Sequence, residues 1–136
     1  MIDKLNIFHA TYWGTHRALD NLNIIPEHIL MDGNKFKPYN REGEYIPHTC
    51  VVKGDNKYAS IAAASILAKV ERDLYIEKLC GEYPILQERY NMQNNKGYGT
   101  KDHMLGIEKY GVTDKHRFSY KIVEQYSKLK PVYSLK

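Results

Sequence analysis

Cysteine is scarce in this 136-residue sequence, which holds only Cys50 and Cys80. Two are too few for a disulfide framework, and neither sits in a cluster with metal-ligand spacing. Two free, buried thiols in a reduced, cytoplasmic compartment are expected. Long apolar runs are missing as well. The most apolar stretch, Ala59 to Ala68, is interrupted by Ser60 and Ser65 and falls far short of the ~20 residues that cross a bilayer. That excludes a membrane span. Met1-Ile2-Asp3-Lys4 opens without the basic and apolar segments of a secretory signal. No repeat, low-complexity tract or linker divides the chain, so a single domain over residues 1–136 is expected.

What is present is an ordinary globular balance, 43% hydrophobic and 26% charged, enough to build a core. Twenty Lys+Arg against sixteen Asp+Glu give +4, which is compatible with a polyanionic partner without identifying one. Twelve tyrosines are the oddest feature of the composition. Most lie at helical spacings and are expected in amphipathic core, although tyrosine also stacks on sugars and bases.

Leu5, Phe8, Tyr12, Leu19 and Leu22 have the spacing of a helix from about residue 4 to 21, weakened at Gly14 by roughly 1 kcal/mol relative to alanine. Ile29 to Gly33 is a short continuous apolar run closed by Asp-Gly, the pattern of a strand buried on both faces. Residues 34–47 are polar, aromatic and basic and read as a loop. Thr49 to Lys53 is a second strand ending at Gly54-Asp55. A long helix is expected from about Lys57 to Cys80, with Ala62, Ala63, Ala64 and Ala68 leaving room for a close neighbour; Gly81 and Pro84 end it. Residues 94–99 read as a loop, with Thr100 as N-cap of a helix running to Gly111. The stretch from Thr113 is expected to be helical through Lys128 and frayed beyond Pro131. Two strands among four helices make a marginal sheet, so the chain reads as part of an α/β domain.

Asp32 and Asp55 end the two expected strands. Parallel neighbours would bring these carboxylates together at the sheet edge where α/β proteins place ligands. Two close carboxylates repel unless a proton or cation lies between them. Oxygen donors without imidazole or thiolate favour Mg2+ or Mn2+. The alternative is that each aspartate only closes a turn or caps the following helix. Lys53-Gly54-Asp55 could also cradle a phosphate, though it lacks the glycines and lysine of a P-loop. Lys96-Gly97-Tyr98-Gly99 sets an aromatic between two glycines beside a cation. Tyr98 there either stacks on a sugar or base or folds onto the adjacent helix.

Five segments in order carry a specific likeness. Lys53-Gly-Asp-Asn-Lys-Tyr-Ala-Ser-Ile-Ala-Ala-Ala-Ser-Ile-Leu-Ala-Lys69 with Arg72-Asp73 resembles the signature of bacterial ribonuclease HII. Ile2 to Ile7 with Ala10-Thr11, Ile29 to Asn34, and Asn95 to Thr100 with His103 resemble further segments of that family. His116-Arg117-Phe118-Ser119-Tyr120 is similar to its closing His-Arg-x-Ser-Phe, with tyrosine for phenylalanine.

The resemblance implies an α/β, RNase H-like fold and a metal-dependent endoribonuclease that uses Mg2+ or Mn2+. It implies cleavage on the 5′ side of ribonucleotides in RNA-DNA/DNA duplexes. Asp32 and Asp55 would be two of the family's four acidic metal ligands. Tyr98 would pack on the ribose at the junction, where the 2′-hydroxyl separates RNA from DNA. Lys53 and Lys96 are further candidate substrate contacts.

The family's opening Asp-Glu-Ala-Gly-Arg-Gly, which supplies the other two carboxylates, does not occur in these residues. The resemblance therefore implies an N-terminally truncated domain of two parallel-type strands and about four helices, with a peripheral tail from about residue 121. Full-length members are expected to be monomeric, whereas this chain alone is expected to be nearly inactive and to self-associate. A non-catalytic, nucleic-acid-binding remnant is the alternative, motivated by Lys35, Lys37, Arg41, Lys96 and Lys101.

Overall fold

The computed structural model describes residues 2–135. They fall into two compact units that divide between Ala68 and Lys69, inside one long helix.

The first unit begins with α1 (Ile2–Asp20). Its irregularity is at Asn6, not at Gly14: Asn6 sits at φ 63°, ψ 169°, and its side-chain oxygen accepts the His9 N–H at 3.2 Å. That is an N-cap bond three residues on, so the chain effectively restarts its helix there. The strands β1 (Ile29–Asp32) and β4 (His48–Val51) pair in parallel, with Asp32 opposite Val51. This is the parallel pair anticipated from the two apolar runs. β1 is not buried on both faces, however: Ile29 is buried while Leu30 and Asp32 are exposed. Only one side of the strand meets the small core of Ile29, Tyr39 and Ile46, supported by Leu19 and Phe36.

Residues 34–47 are not simply a loop. They contain β2 (Tyr39–Arg41) and β3 (Glu44–Ile46), an antiparallel hairpin. Its two turn residues, Glu42 and Gly43, both have positive φ, the requirement of a tight hairpin turn whose twist matches the strands. Three-residue strands are too short to show alternation, and Glu-Gly is not the Asn-Gly pair that would have marked the turn. After β4 comes a 3-10 turn at Gly54–Asn56, then α2 (Ala59–Glu82). The alanine face of α2 expected to admit a close neighbour is largely exposed, and Ile61 is the buried residue of its first turns.

The second unit holds the larger core. It follows α2 with α3 (Ile85–Tyr90), α4 (Met92–Asn95), α5 (Lys101–Tyr110), β5 (Val112–Thr113), α6 (Lys121–Leu129) and β6 (Val132–Tyr133). Cys80, Leu86, Tyr90, Met92, Ile107, Val112 and Val123 pack together. α5 crosses α3 so closely at Gly106 that an added Cβ would lie 2.1 Å from the Arg89 carbonyl oxygen. Thr100 caps α5 and Gly111 ends it, as the sequence suggested. The described helices number six instead of about four, because α3 and α4 are short turns split by left-handed Asn91. The last stretch also differs from expectation. Its helix is confined to Lys121–Leu129, Val123 enters the core, and beyond Pro131 the chain pairs in parallel with β5 instead of fraying.

Two further expectations change. Cys50 is half-buried, and Cys80 alone is fully buried. Of the tyrosines, Tyr39 and Tyr90 are core, while Tyr45, Tyr58, Tyr75, Tyr98, Tyr120 and Tyr133 are exposed. Cations stacked on the rings account for part of this: Arg89 lies over Tyr133, Arg72 over Tyr98 and Arg117 over Tyr120. No helix among the described residues is long and apolar enough to cross a membrane.

Candidate functional site

In the first unit, Asp32 ends β1 and Asp55 lies in the 3-10 turn that follows β4, so both carboxylates stand at the same end of the parallel pair. They are joined through one backbone group. The N–H of Gly54 donates to Asp32 Oδ1 at 2.8 Å, and Asp55 is the next residue along. The approach depends on glycine: a Cβ at Gly54 would meet Asp32 Oδ1 at 3.3 Å and Ile61 Cδ1 at 2.6 Å. Lys53, just before, is exposed and adopts a left-handed conformation (φ 55°, ψ 49°). Such a conformation is uncommon for a lysine and turns the chain sharply out of the strand. A cleft of about 290 Å³ opens beside Asp32, bounded by Phe8 and Tyr12 of α1 and by Met31, Asn34 and Lys35.

The donors suit a hard divalent cation. Asp32 spends Oδ1 on Gly54, and Asp55 spends Oδ1 on the N–H of Asn56 at 3.0 Å. The second oxygen of each is unbonded among the described residues, and both side chains are exposed. No cluster of three or more histidine, cysteine, aspartate or glutamate ligands occurs among the described residues. Two exposed carboxylates that leave positions open to water and phosphate oxygens suit a hard divalent cation that keeps part of its hydration, in contrast to an all-protein cage.

The second unit carries the aromatic loop. Lys96 (φ 51°) and Gly97 (φ 77°) turn the chain, and Asn95 ties it: its carbonyl accepts the Tyr98 N–H at 2.9 Å and its Oδ1 the Gly97 N–H at 2.9 Å. The Tyr98 ring is 60% exposed, so it does not fold into core. One face is covered by Arg72 of α2, whose guanidinium lies 4.6 Å from the ring centroid and donates to the hydroxyl. Asp73 Oδ1 holds that guanidinium at 2.7 Å. The hydrogen bond with Asp73 raises Arg72 above its usual range and the bond with Arg72 lowers Asp73 below its own. Arg72 and Asp73 stand in the sequence only as part of the motif that follows Lys69, and their hold on Tyr98 has no spacing signal. Lys96 is committed to Glu77 at 2.5 Å, so its ammonium is not a bare phosphate contact.

Beneath the loop, His103 and His116 are both buried and meet Nε2 to Nε2 at 3.2 Å. Burial lowers both: His103 falls below its ordinary value, and His116 drops to about 4, with the neighbouring ring adding to the effect. Both are neutral at pH 7. Of the basic residues considered as phosphate contacts, Arg41 is occupied internally, donating to the carbonyls of Leu19 and Leu22. This caps the end of α1.

Comparison with known proteins gives a consistent match. The sequence model of the family described as Ribonuclease HII matches residues 1–123. A Ribonuclease HII of Christiangramia forsetii is 51% identical over 128 residues, which cover 94% of this chain and 61% of that protein. One from Phocaeicola vulgatus is 49% identical over 122 residues, covering 90% of this chain and 57% of its own. A more distant one from Chromohalobacter salexigens is 42% identical over 128 residues, 94% of this chain and 60% of its own. The chain thus spans less than two thirds of the length of these relatives.

Proposed function

The chain belongs to the ribonuclease HII family, and from that premise we propose that it forms the larger part of an endonuclease that hydrolyses RNA-DNA/DNA duplexes 5′ of a ribonucleotide. The observation that carries this is the placement of Asp32 and Asp55 at one end of the parallel pair, linked through the Gly54 amide. Asp32 and Asp55 are the carboxylates that would hold Mg2+ or Mn2+. When bound, such a cation supplies charge neutralisation at the scissile phosphate and activation of water. The chain's own residues do the rest. Gly54 orients Asp32, Lys53 offers a cation beside the same turn, and Tyr98 presents an exposed ring for the ribose. Lys96, paired with Glu77, steadies the loop that carries Tyr98 and contributes to phosphate binding only if that pair opens. A reducing, cytoplasmic compartment fits the two free thiols.

The test uses a chimera in which this chain is joined to the portion of the Christiangramia forsetii relative that it does not cover. The chimera should cut a duplex containing a single ribonucleotide only with Mg2+ or Mn2+ present. Asp32→Asn and Asp55→Asn should each lower the rate by at least ~100-fold, the scale on which one transition-state charge contact is felt. Asparagine at position 32 keeps an acceptor for Gly54, so folding should persist. Undiminished cutting in both variants, or no cutting by the folded chimera, overturns the proposal.

A binding-only role is the second reading. It is favoured by exposed Lys35, Lys37 and Lys101, none of which is in an ion pair among the described residues. Duplex affinity that falls steeply with salt, in a chimera that never cuts, would support it.

A further inference from the structure

The buried histidine pair has a direction. The carbonyl of Tyr98 can only accept, so His103 Nδ1, 3.0 Å away, carries a proton. His116 Nδ1 accepts the Thr113 N–H at 3.0 Å, with the Thr113 hydroxyl at 2.9 Å, so it carries none. In the neutral pair the proton of His116 is therefore on Nε2, and it points at the bare Nε2 of His103 3.2 Å away. Each bond fixes the tautomer that the next requires. A metal ion between the rings would need His116 to give up its one remaining ring proton while Nδ1 still accepts from Thr113, so a proton is what joins them.

The surroundings bury this line. Tyr90 of α3 packs its ring against both histidines, at 5.9 Å from His103 and 4.7 Å from His116. Burial raises the Tyr90 phenol, and its hydroxyl donates to the Gly111 carbonyl. Arg89 bears on the Tyr90 hydroxyl as a charge and a hydrogen-bond donor. Among the described residues Thr113 and the Tyr98 carbonyl also meet the rings, the carbonyl accepting the Thr100 N–H as well at 2.8 Å. Both acceptor directions of that carbonyl are thus used, and they fix where Tyr98 leaves the loop.

We infer that His103 and His116 are positioning residues for substrate recognition, holding the Tyr98 backbone through one directed line of hydrogen bonds that starts at Thr113. This rests on the reading of Tyr98 as the ribose contact. Arg72 sets the ring from the side, and the histidines set the backbone from below. Protonating His116 Nδ1 would expel the Thr113 donor, and protonating His103 Nε2 would set two N–H groups against each other. Either event releases the loop.

The chimera tests this through binding, measured without divalent metal, to a duplex with one ribonucleotide and to an all-DNA duplex. Tyr98→Ala should lower the preference for the ribonucleotide by about tenfold or more. His103→Leu should lower it by about three- to tenfold, the factor worth one neutral hydrogen bond. His103→Asn, which keeps a donor near the position of Nδ1, should recover most of it. The double variant should be no worse than Tyr98→Ala alone, whereas a merely structural role would weaken both duplexes equally. A folded His103→Leu with full preference, beside a Tyr98→Ala that has lost it, overturns the inference. If Tyr98→Ala keeps the preference, the ribose reading itself has failed and the positioning role falls with it. Imidazole nitrogen spectra of the unsubstituted chimera give an answer that does not depend on variants folding. His103 should be protonated at Nδ1 and His116 at Nε2, both neutral at pH 7. The reverse tautomers, or resonances that move with added Zn2+, would also overturn it.

Discussion

The backbone N–H of Gly54 donates to Asp32 Oδ1 at 2.8 Å, which makes one glycine the hinge on which the candidate carboxylate pair is set. Gly54 is buried against Ile61 of α2, and its amide reaches Asp32 because nothing replaces its α-hydrogen. In Gly54→Ala the new methyl would stand 2.6 Å from Ile61 Cδ1 and 3.3 Å from the Asp32 oxygen. Overpacking of this kind costs about 1–3 kcal/mol, measurable by urea denaturation of the chimera. Because Asp32 is pushed as well, cutting should fall by more than the loss of folded protein explains. Wild-type stability together with wild-type cutting would refute the hinge.

At the other candidate contact, the expected effects separate ring from hydroxyl. Tyr98→Phe keeps the ring under the Arg72 guanidinium and loses the hydrogen bond to its hydroxyl. Cleavage should stay within about tenfold of the parent, because the bond lost is charge-assisted but open to water. Tyr98→Ala removes the stacking surface, worth ~1–3 kcal/mol per base, and should lower cleavage at a single ribonucleotide by one to two orders of magnitude. Equal rates for the parent and Tyr98→Ala would exclude the contact.

What the sequence made legible follows from how far each signal reaches. The apolar runs ending in Asp32 and at Gly54-Asp55 are local, and they gave the two strands and the carboxylates closing them. The Thr100 cap and the Gly111 stop are local too. Asn6 outweighed Gly14 as the break in α1, because a side chain that bonds the backbone three residues on competes with the helix ladder, whereas glycine only loosens it. The pairing of β5 with β6 was hidden, since strands of two residues at 112–113 and 132–133 have no period to detect. The His103–His116 contact and the Arg72 hold on Tyr98 were hidden for a different reason. They join residues 13 and 26 positions apart whose meeting is decided by the packing of α3, α5 and the loops between them.

Acidification should loosen the second unit in a defined window. His116 binds its proton with a pKa of about 4 in the folded chain against an ordinary 6.5. A histidine lowered by folding stabilises the fold above its unfolded value, and that stability is lost as pH falls from about 6.5 toward 4. At about 1.4 kcal/mol per pH unit for one proton, the loss approaches about 3 kcal/mol, and His103, lowered too, adds in the same direction. The lowered carboxyls of Asp73 and Glu124 act in the same sense, but only once the pH nears their ordinary values of 3.8 and 4.5. Urea midpoints of the chimera at pH 7.5, 6.5, 5.5 and 4.8 should therefore decline mainly through the histidines. In His116→Gln the decline over that range should be much shallower. A parent whose midpoint is flat from pH 6.5 to 4.8 would contradict the buried neutral pair.

The isolated 136-residue chain should associate with itself. Its β1–β4 sheet has two strands among the described residues, which leaves each with an open backbone edge, and an uncovered edge is a template for another chain. Large apolar side chains stand in solvent nearby in sequence: Phe8 on α1 is 69% exposed, and Ile66 and Leu67 on α2 are 62% and 66% exposed. Covering a large apolar group is worth about 1.5–3 kcal/mol, so three such groups together rival a typical net stability of ~5–15 kcal/mol. A second copy can supply that cover, and so can the portion of a longer relative that this chain does not span. The two sources predict different behaviour in the ultracentrifuge. The chain alone should sediment as concentration-dependent oligomers with a broad thermal transition, and the chimera as a monomer with a sharp one. A monodisperse monomer of the 136-residue chain that melts cooperatively would mean that the exposed faces of α1 and α2 need no cover.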